Sequence, residues 1–103
     1  MNDVEPPMPE LEEGTLDAPG LEALLRDVGT CTDLLEVILK GNASSRAASA
    51  GVDLEGAKEA LMARTCRAAQ LRYRYAGVEW WDTVLVATAG WRVVRIRQDR
   101  PPP

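Results

Sequence analysis

QLRYRYAGVEWWDTVLVATAGWRVVRIR, Gln70 to Arg97, decides the fold of this chain. Apolar and polar residues alternate along it, glycine interrupts it at Ala76-Gly77 and at Thr88-Ala89-Gly90, and it carries both tyrosines and all three tryptophans. Alternation with a period of two, punctuated by glycine, predicts a three-stranded meander. A two-residue loop at Ala76-Gly77 sets Tyr73 opposite Trp80 and Leu71 opposite Asp82 on one face. On the other it sets Arg74 opposite Glu79 and Arg72 opposite Trp81.

The second loop decides which residues of the last strand face water. A three-residue loop, Thr88-Ala89-Gly90 with the glycine left-handed, pairs Val84 with Val94, Asp82 with Ile96, Leu85 with Val93 and Trp81 with Arg97. The inner face then holds Leu71, Tyr73, Tyr75, Val78, Trp80, Val84, Val94 and Ile96, with Asp82 among them. The outer face holds Arg72, Arg74, Glu79, Trp81, Thr83, Arg95 and Arg97, with Leu85 and Val93 near the turn. A two-residue loop would put Arg95 and Arg97 inside, where two guanidinium groups are costly even with Arg97 brought to Asp82. The three-residue loop is therefore the expectation.

Upstream of the meander the pattern reads as helical. Leu21, Leu24, Leu25 and Val28 recur at helical spacing from about Pro19 to Val28, with Asp17 or Ala18 as cap and Gly29 as stop. Cys31, Leu34, Leu35, Ile38 and Leu39 give a second stripe before Gly41, capped by Thr30 or Thr32, so the two would form a helical hairpin. Asn42 to Ala50 is small and polar, a loop or one weak turn. Asp53 caps a third, longer helix with Leu54, Ala57, Leu61, Thr65 and Ala68 on one stripe, widened by Met62, Cys66 and Ala69. The predicted architecture is α+β: three N-terminal helices, a hairpin plus a longer third helix, packed on a C-terminal three-stranded antiparallel meander.

Residues 1–18 contain Pro6, Pro7 and Pro9, six carboxylates and no basic residue. They read as a disordered acidic arm, residues 19–100 as a single α+β domain and residues 101–103 as a disordered tail. The net charge of −4 conceals a gradient, from −8 over residues 1–41 to +5 over residues 64–103. An acidic arm could lie over a basic sheet and compete with anionic partners. No apolar run is long enough to span a membrane and no signal peptide is apparent, so a cytoplasmic location is expected. The two cysteines, Cys31 and Cys66, read as small core residues without a bridge. Arginine outnumbers lysine ten to two, which hints at a GC-rich bacterial genome.

The chain has no histidine, which removes the commonest general base, the usual zinc ligand and every histidine-activated nucleophile. No phosphate-binding glycine loop or paired-cysteine metal motif occurs, so no cofactor, no metal site and no catalytic residue is expected. Glu79 and Asp82, three apart on a strand, point to opposite faces and cannot share a substrate without a bulge. Glu79 reads as the partner of Arg74. Asp82, on the apolar face, reads as a structural acceptor from a backbone amide, a tyrosine hydroxyl or an indole, with a functional carboxylate as the alternative.

The candidate site is Trp81 amid Arg72, Arg74, Arg95 and Arg97. Guanidinium groups beside an indole suit an acidic peptide or a single-stranded nucleic acid, and equally suit a solvated face whose tryptophan is covered by arginine. The expected function is that of a non-catalytic accessory or adaptor protein binding a protein partner through this Arg/Trp face. A small nucleic-acid-binding protein using the same face is the alternative, and a carboxylate- or metal-dependent enzyme built on Asp82 the third reading. The apolar spacing from Leu21 to Leu61, with the Ala50-Gly51 pair, loosely resembles the leader-peptide family associated with nitrogen-fixation genes. No double-glycine cleavage site follows it, and no function is carried over. Partner, pathway and oligomeric state are left open.

Overall fold

Aspartate starts both helices in the same way. The computed structural model describes residues 11–41 and 52–98, and in it helix α1 (Ala18–Cys31) is capped by Asp17, whose carboxylate accepts the Gly20 amide at 2.9 Å. Helix α2 (Leu54–Ala63) repeats the device, with Asp53 accepting from Gly56 at 2.8 Å. Each side chain satisfies one of the amides that a helix N-terminus leaves unbonded. The rest of the regular structure is one sheet of β1 (Leu11–Leu16), β2 (Asp33–Lys40), β3 (Ala68–Tyr75), β4 (Val78–Ala87) and β5 (Gly90–Arg97). The strands run in the order β1-β5-β4-β3-β2, every neighbour antiparallel.

This corrects the predicted architecture of three helices on a three-stranded meander: there are two helices and five strands among the described residues. The segment read as a second helix is β2. Its apolar run, Leu34 to Leu39 broken only by Glu36, fits either period, and Val37 and Ile38 are β-branched and favour a strand. Val37, which the helical stripe leaves out, is the buried residue of the segment. The free edge of β3 settles the choice by supplying a ladder from Asp33 opposite Arg74 to Lys40 opposite Ala68. Helix α2 is also shorter than expected, ending at Arg64 in the left-handed conformation (φ 60°), so that Ala68 and Ala69 begin β3.

The sheet begins before the residue-19 boundary drawn from the sequence, because Leu11–Leu16 pair with β5 from Ile96 to Trp91. Residues 1–10, the Asn42–Ala50 segment and the 101–103 tail lie outside the described residues. Helix α1 leaves β1 at one edge and delivers the chain to β2 at the other. Its 14 residues span about 21 Å, close to the roughly 19 Å across five strands. Both helices lie on one face, where Leu21, Leu25 and Val28 of α1 and Ala57 and Leu61 of α2 meet Leu71, Tyr73, Trp80, Val84 and Trp91. No helix among the described residues is long and apolar enough to cross a membrane.

The first hairpin has the predicted register, Tyr73 opposite Trp80 and Arg72 opposite Trp81. Its turn residues Ala76 and Gly77 both have positive φ, 54° and 81°, which is the twist-matched geometry of a two-residue loop. The second hairpin does not match the prediction. Ala87 pairs with Gly90, Val84 with Val93 and Asp82 with Arg95, so two residues rather than three make the loop. This register carries Trp91 into the core and sends Val94 and Ile96 to the opposite face. The arginine cost that argued against it is met by Arg95, not Arg97, which binds Asp82 with two hydrogen bonds. Gly90 (φ 103°) is held by contact as well as conformation, since a Cβ there would lie 2.5 Å from the Leu16 carbonyl oxygen of β1.

Candidate functional site

The face of the sheet away from the helices is built in rows, because residues opposite one another in antiparallel strands share a face. One row crosses from Glu36 through Arg72 and Trp81 to Ile96, and the next from Ile38 through Gln70 and Thr83 to Val94. Beyond them Lys40, Ala68, Leu85 and Arg92 follow. Trp81 stands in the middle of the first row and is clamped from two directions. The Arg72 guanidinium lies 3.9 Å from its ring centroid, and its indole N–H donates to Glu79 Oε2 at 2.8 Å.

Arg72 is itself fixed. Its Nε donates to Gln70 Oε1 at 2.8 Å and its Nη1 reaches Glu36 Oε1 at 3.3 Å, while Gln70 donates to Thr83 Oγ1 at 3.3 Å. These bonds explain how Gln70 can be buried on a face that no helix of the described residues covers. A guanidinium stacked on an indole gains on the order of 1 kcal/mol, and the clamp removes rotamer freedom that binding would otherwise have to remove. Next to this rigid pair Ile96 is 44% exposed; Leu85, two rows along the face, is also exposed.

The five residues singled out from the sequence do not all meet. Arg72 and Trp81 are in contact. Arg74, Trp81 and Arg97 line one open recess of about 630 Å³ at the end of the sheet, together with Glu79 and Gln98. By register, however, Arg95 and Arg97 belong to the helix side, opposite Asp82 and Trp80. The helix-free face is consequently not the basic surface that was expected. Its register places Lys40, Arg72, Arg74 and Arg92 among Glu13, Asp33, Glu36 and Glu79, and Arg92 is already paired with Glu13 at 2.9 Å.

Asp82 is fully buried and accepts three hydrogen bonds, from the Tyr73 hydroxyl at 2.9 Å and from Arg95 Nε and Nη2 at 2.9 and 2.8 Å. The tyrosine partner is one the sequence suggested; the arginine depended on the loop length. Burial first, and then the Asp82 charge, push the Tyr73 phenol above its ordinary range, so it remains a donor. Glu79 lies opposite Arg74 as expected but spends its carboxylate on Trp81. Cys66 is buried, whereas Cys31 is exposed at the end of α1 rather than in the core. Among the described residues no cluster of acids and cysteines is placed to hold a metal ion.

No family model, curated protein or solved structure matches the chain.

Proposed function

We propose that the chain is a non-catalytic binding protein whose helix-free sheet face, centred on Trp81, docks a protein partner. The observation that carries this reading is the clamped Trp81 with exposed Ile96 beside it on a face that neither described helix covers. A preorganised aromatic next to aliphatic surface is the usual composition of an interface centre. The mixing of cations and acids across that face favours a protein over nucleic acid, which would need an unbroken basic track for its phosphates. Five strands of about eight residues offer a footprint of roughly 500 Å². That is below the roughly 800 Å² per partner of a standard stable complex, so the affinity should be modest.

The reading is tested by titrating Trp81→Ala and Arg72→Ala, at low and high salt, against single-stranded nucleic acid and against the partner recovered from the native cell. A protein partner should lose about 2 kcal/mol or more on indole truncation and respond little to salt. Steep, log-linear weakening with salt, together with a slope reduced by about one unit in the arginine variant, would instead identify nucleic acid.

A further inference from the structure

We infer that the chain pairs with a second copy of itself along the free edge of β2, in an antiparallel register centred on Ile38. This edge borders the Trp81 face, whose rows begin at Glu36 and Ile38, but the pairing does not depend on that face's role. Strand β2 ends the sheet, with β3 its only strand neighbour among the described residues. A terminal strand presents a row of unpaired amides and carbonyls, and proteins commonly blunt such edges. The opposite edge, β1, is six residues long and carries Glu12, Glu13 and Gly14 in its middle. Strand β2 is eight residues long and has no proline or glycine; its register with β3 shifts between Leu34 and Glu36 and is regular from Glu36 to Lys40, so the edge open to a further strand is Glu36–Lys40.

The order of residues along β2 selects the occupant of this edge. A two-fold axis through an antiparallel pair sets each residue opposite its mirror position on the second strand. Centred on Ile38, it sets Ile38 against Ile38, Val37 against Leu39 and Glu36 against Lys40, the last pair twice. Glu36, Ile38 and Lys40 share the helix-free face in the register with β3, and Val37 and Leu39 share the helix side, so every pair brings like faces together. A slip of one residue would oppose the two faces of the sheet. A slip of two would set Glu36 or Lys40 against Ile38 and lose both ion pairs. The self-pairing thus has one register in which charge and face both agree. It would join two helix-free faces into a continuous ten-stranded surface with the helices on the other side.

The test is sedimentation equilibrium on the full chain and on the variants Glu36→Lys and Lys40→Glu, alone and mixed. The chain should dimerise. Each variant alone opposes like charges on both sides of the axis and should raise the dimer dissociation constant about thirtyfold. In the equimolar mixture a strand with cations at both positions meets a strand with anions at both. Opposite charges then face each other on both sides of the axis, and the original association should be recovered as a heterodimer. Because Glu36 also holds Arg72, Ile38→Lys and Ile38→Asp, alone and mixed, repeat the design without touching that ion pair, with circular dichroism confirming each fold. A chain monomeric at all accessible concentrations, or a dimer that neither pair of variants weakens alone and restores on mixing, would overturn the inference.

Discussion

Replacing Arg95 with leucine should be among the most damaging single changes to this fold. Asp82 is fully buried, and Arg95 supplies two of its three hydrogen bonds, leaving Tyr73 as the remaining donor. Breaking a buried ion pair from one side costs about 3–5 kcal/mol, because the abandoned charge stays in a poor solvent. A fold of roughly 80 residues has about 4–12 kcal/mol in total, so the variant should lose between about a quarter and all of it. Adding Asp82→Asn should then stabilise the Arg95→Leu background by about 2 kcal/mol, since the stranded charge is gone. Urea unfolding followed by tryptophan fluorescence measures both. If Arg95→Leu were within about 1 kcal/mol of the parent, Arg95 would be a surface residue, the β4–β5 register would be that of the three-residue loop, and the reasoning would fail.

Two further outcomes follow from the same geometry. Tyr73 is held above its ordinary value of 10.0, so as pH rises past that value the unfolded chain loses a proton that the folded chain keeps. From Tyr73 alone, stability should be intact below about pH 10 and fall above it by up to about 1.4 kcal/mol per pH unit, and buried Cys66, its thiol also pushed up by burial from an ordinary value of 9.0, adds a loss in the same direction that begins at lower pH; a flat stability profile between pH 9 and 11 would contradict this. Ala76 has a φ of 54° in the two-residue turn, where asparagine is the preferred companion of glycine, so Ala76→Asn should raise stability by about 0.5–1 kcal/mol in thermal unfolding, and a loss would show that the turn has another geometry.

The parts of the fold legible in the sequence were those in which one pattern had one meaning. Alternation around Ala76-Gly77 gave the β3–β4 register residue for residue, and Asp53 and one of the two caps offered for the first helix, Asp17 rather than Ala18, marked the helix starts. What was not legible depended on partners distant in sequence. Leu34–Leu39 satisfies a helical stripe and a strand alike, and only the edge of β3 decides between them. The acidic segment containing Leu11–Leu16 has no alternation of its own, being LEEGTL, and becomes a strand because β5 needs a neighbour.

The loop at Thr88-Ala89 was not legible because its cost was weighed with Arg97 as the partner of Asp82, whereas the two-residue loop sets Arg95 directly opposite Asp82 and gives it two hydrogen bonds. For the candidate site, contact between Arg72 and Trp81 followed from the first hairpin alone. The Gln70 and Glu36 supports followed only once β2 was a strand, and the basic character of the face disappeared with the corrected β5 register.

The most direct test of the proposed docking face uses the three indole N–H signals of a ¹⁵N-labelled chain. Trp80 and Trp91 are buried on the helix side, Trp91 donating to the Leu61 carbonyl at 3.0 Å, whereas Trp81 lies on the helix-free face with its N–H on Glu79. Titrating the partner recovered from the native cell, after nuclease treatment, should shift or broaden the Trp81 signal and leave those of Trp80 and Trp91 in place. A Trp81 signal unmoved at saturation would place the binding surface elsewhere and contradict the account.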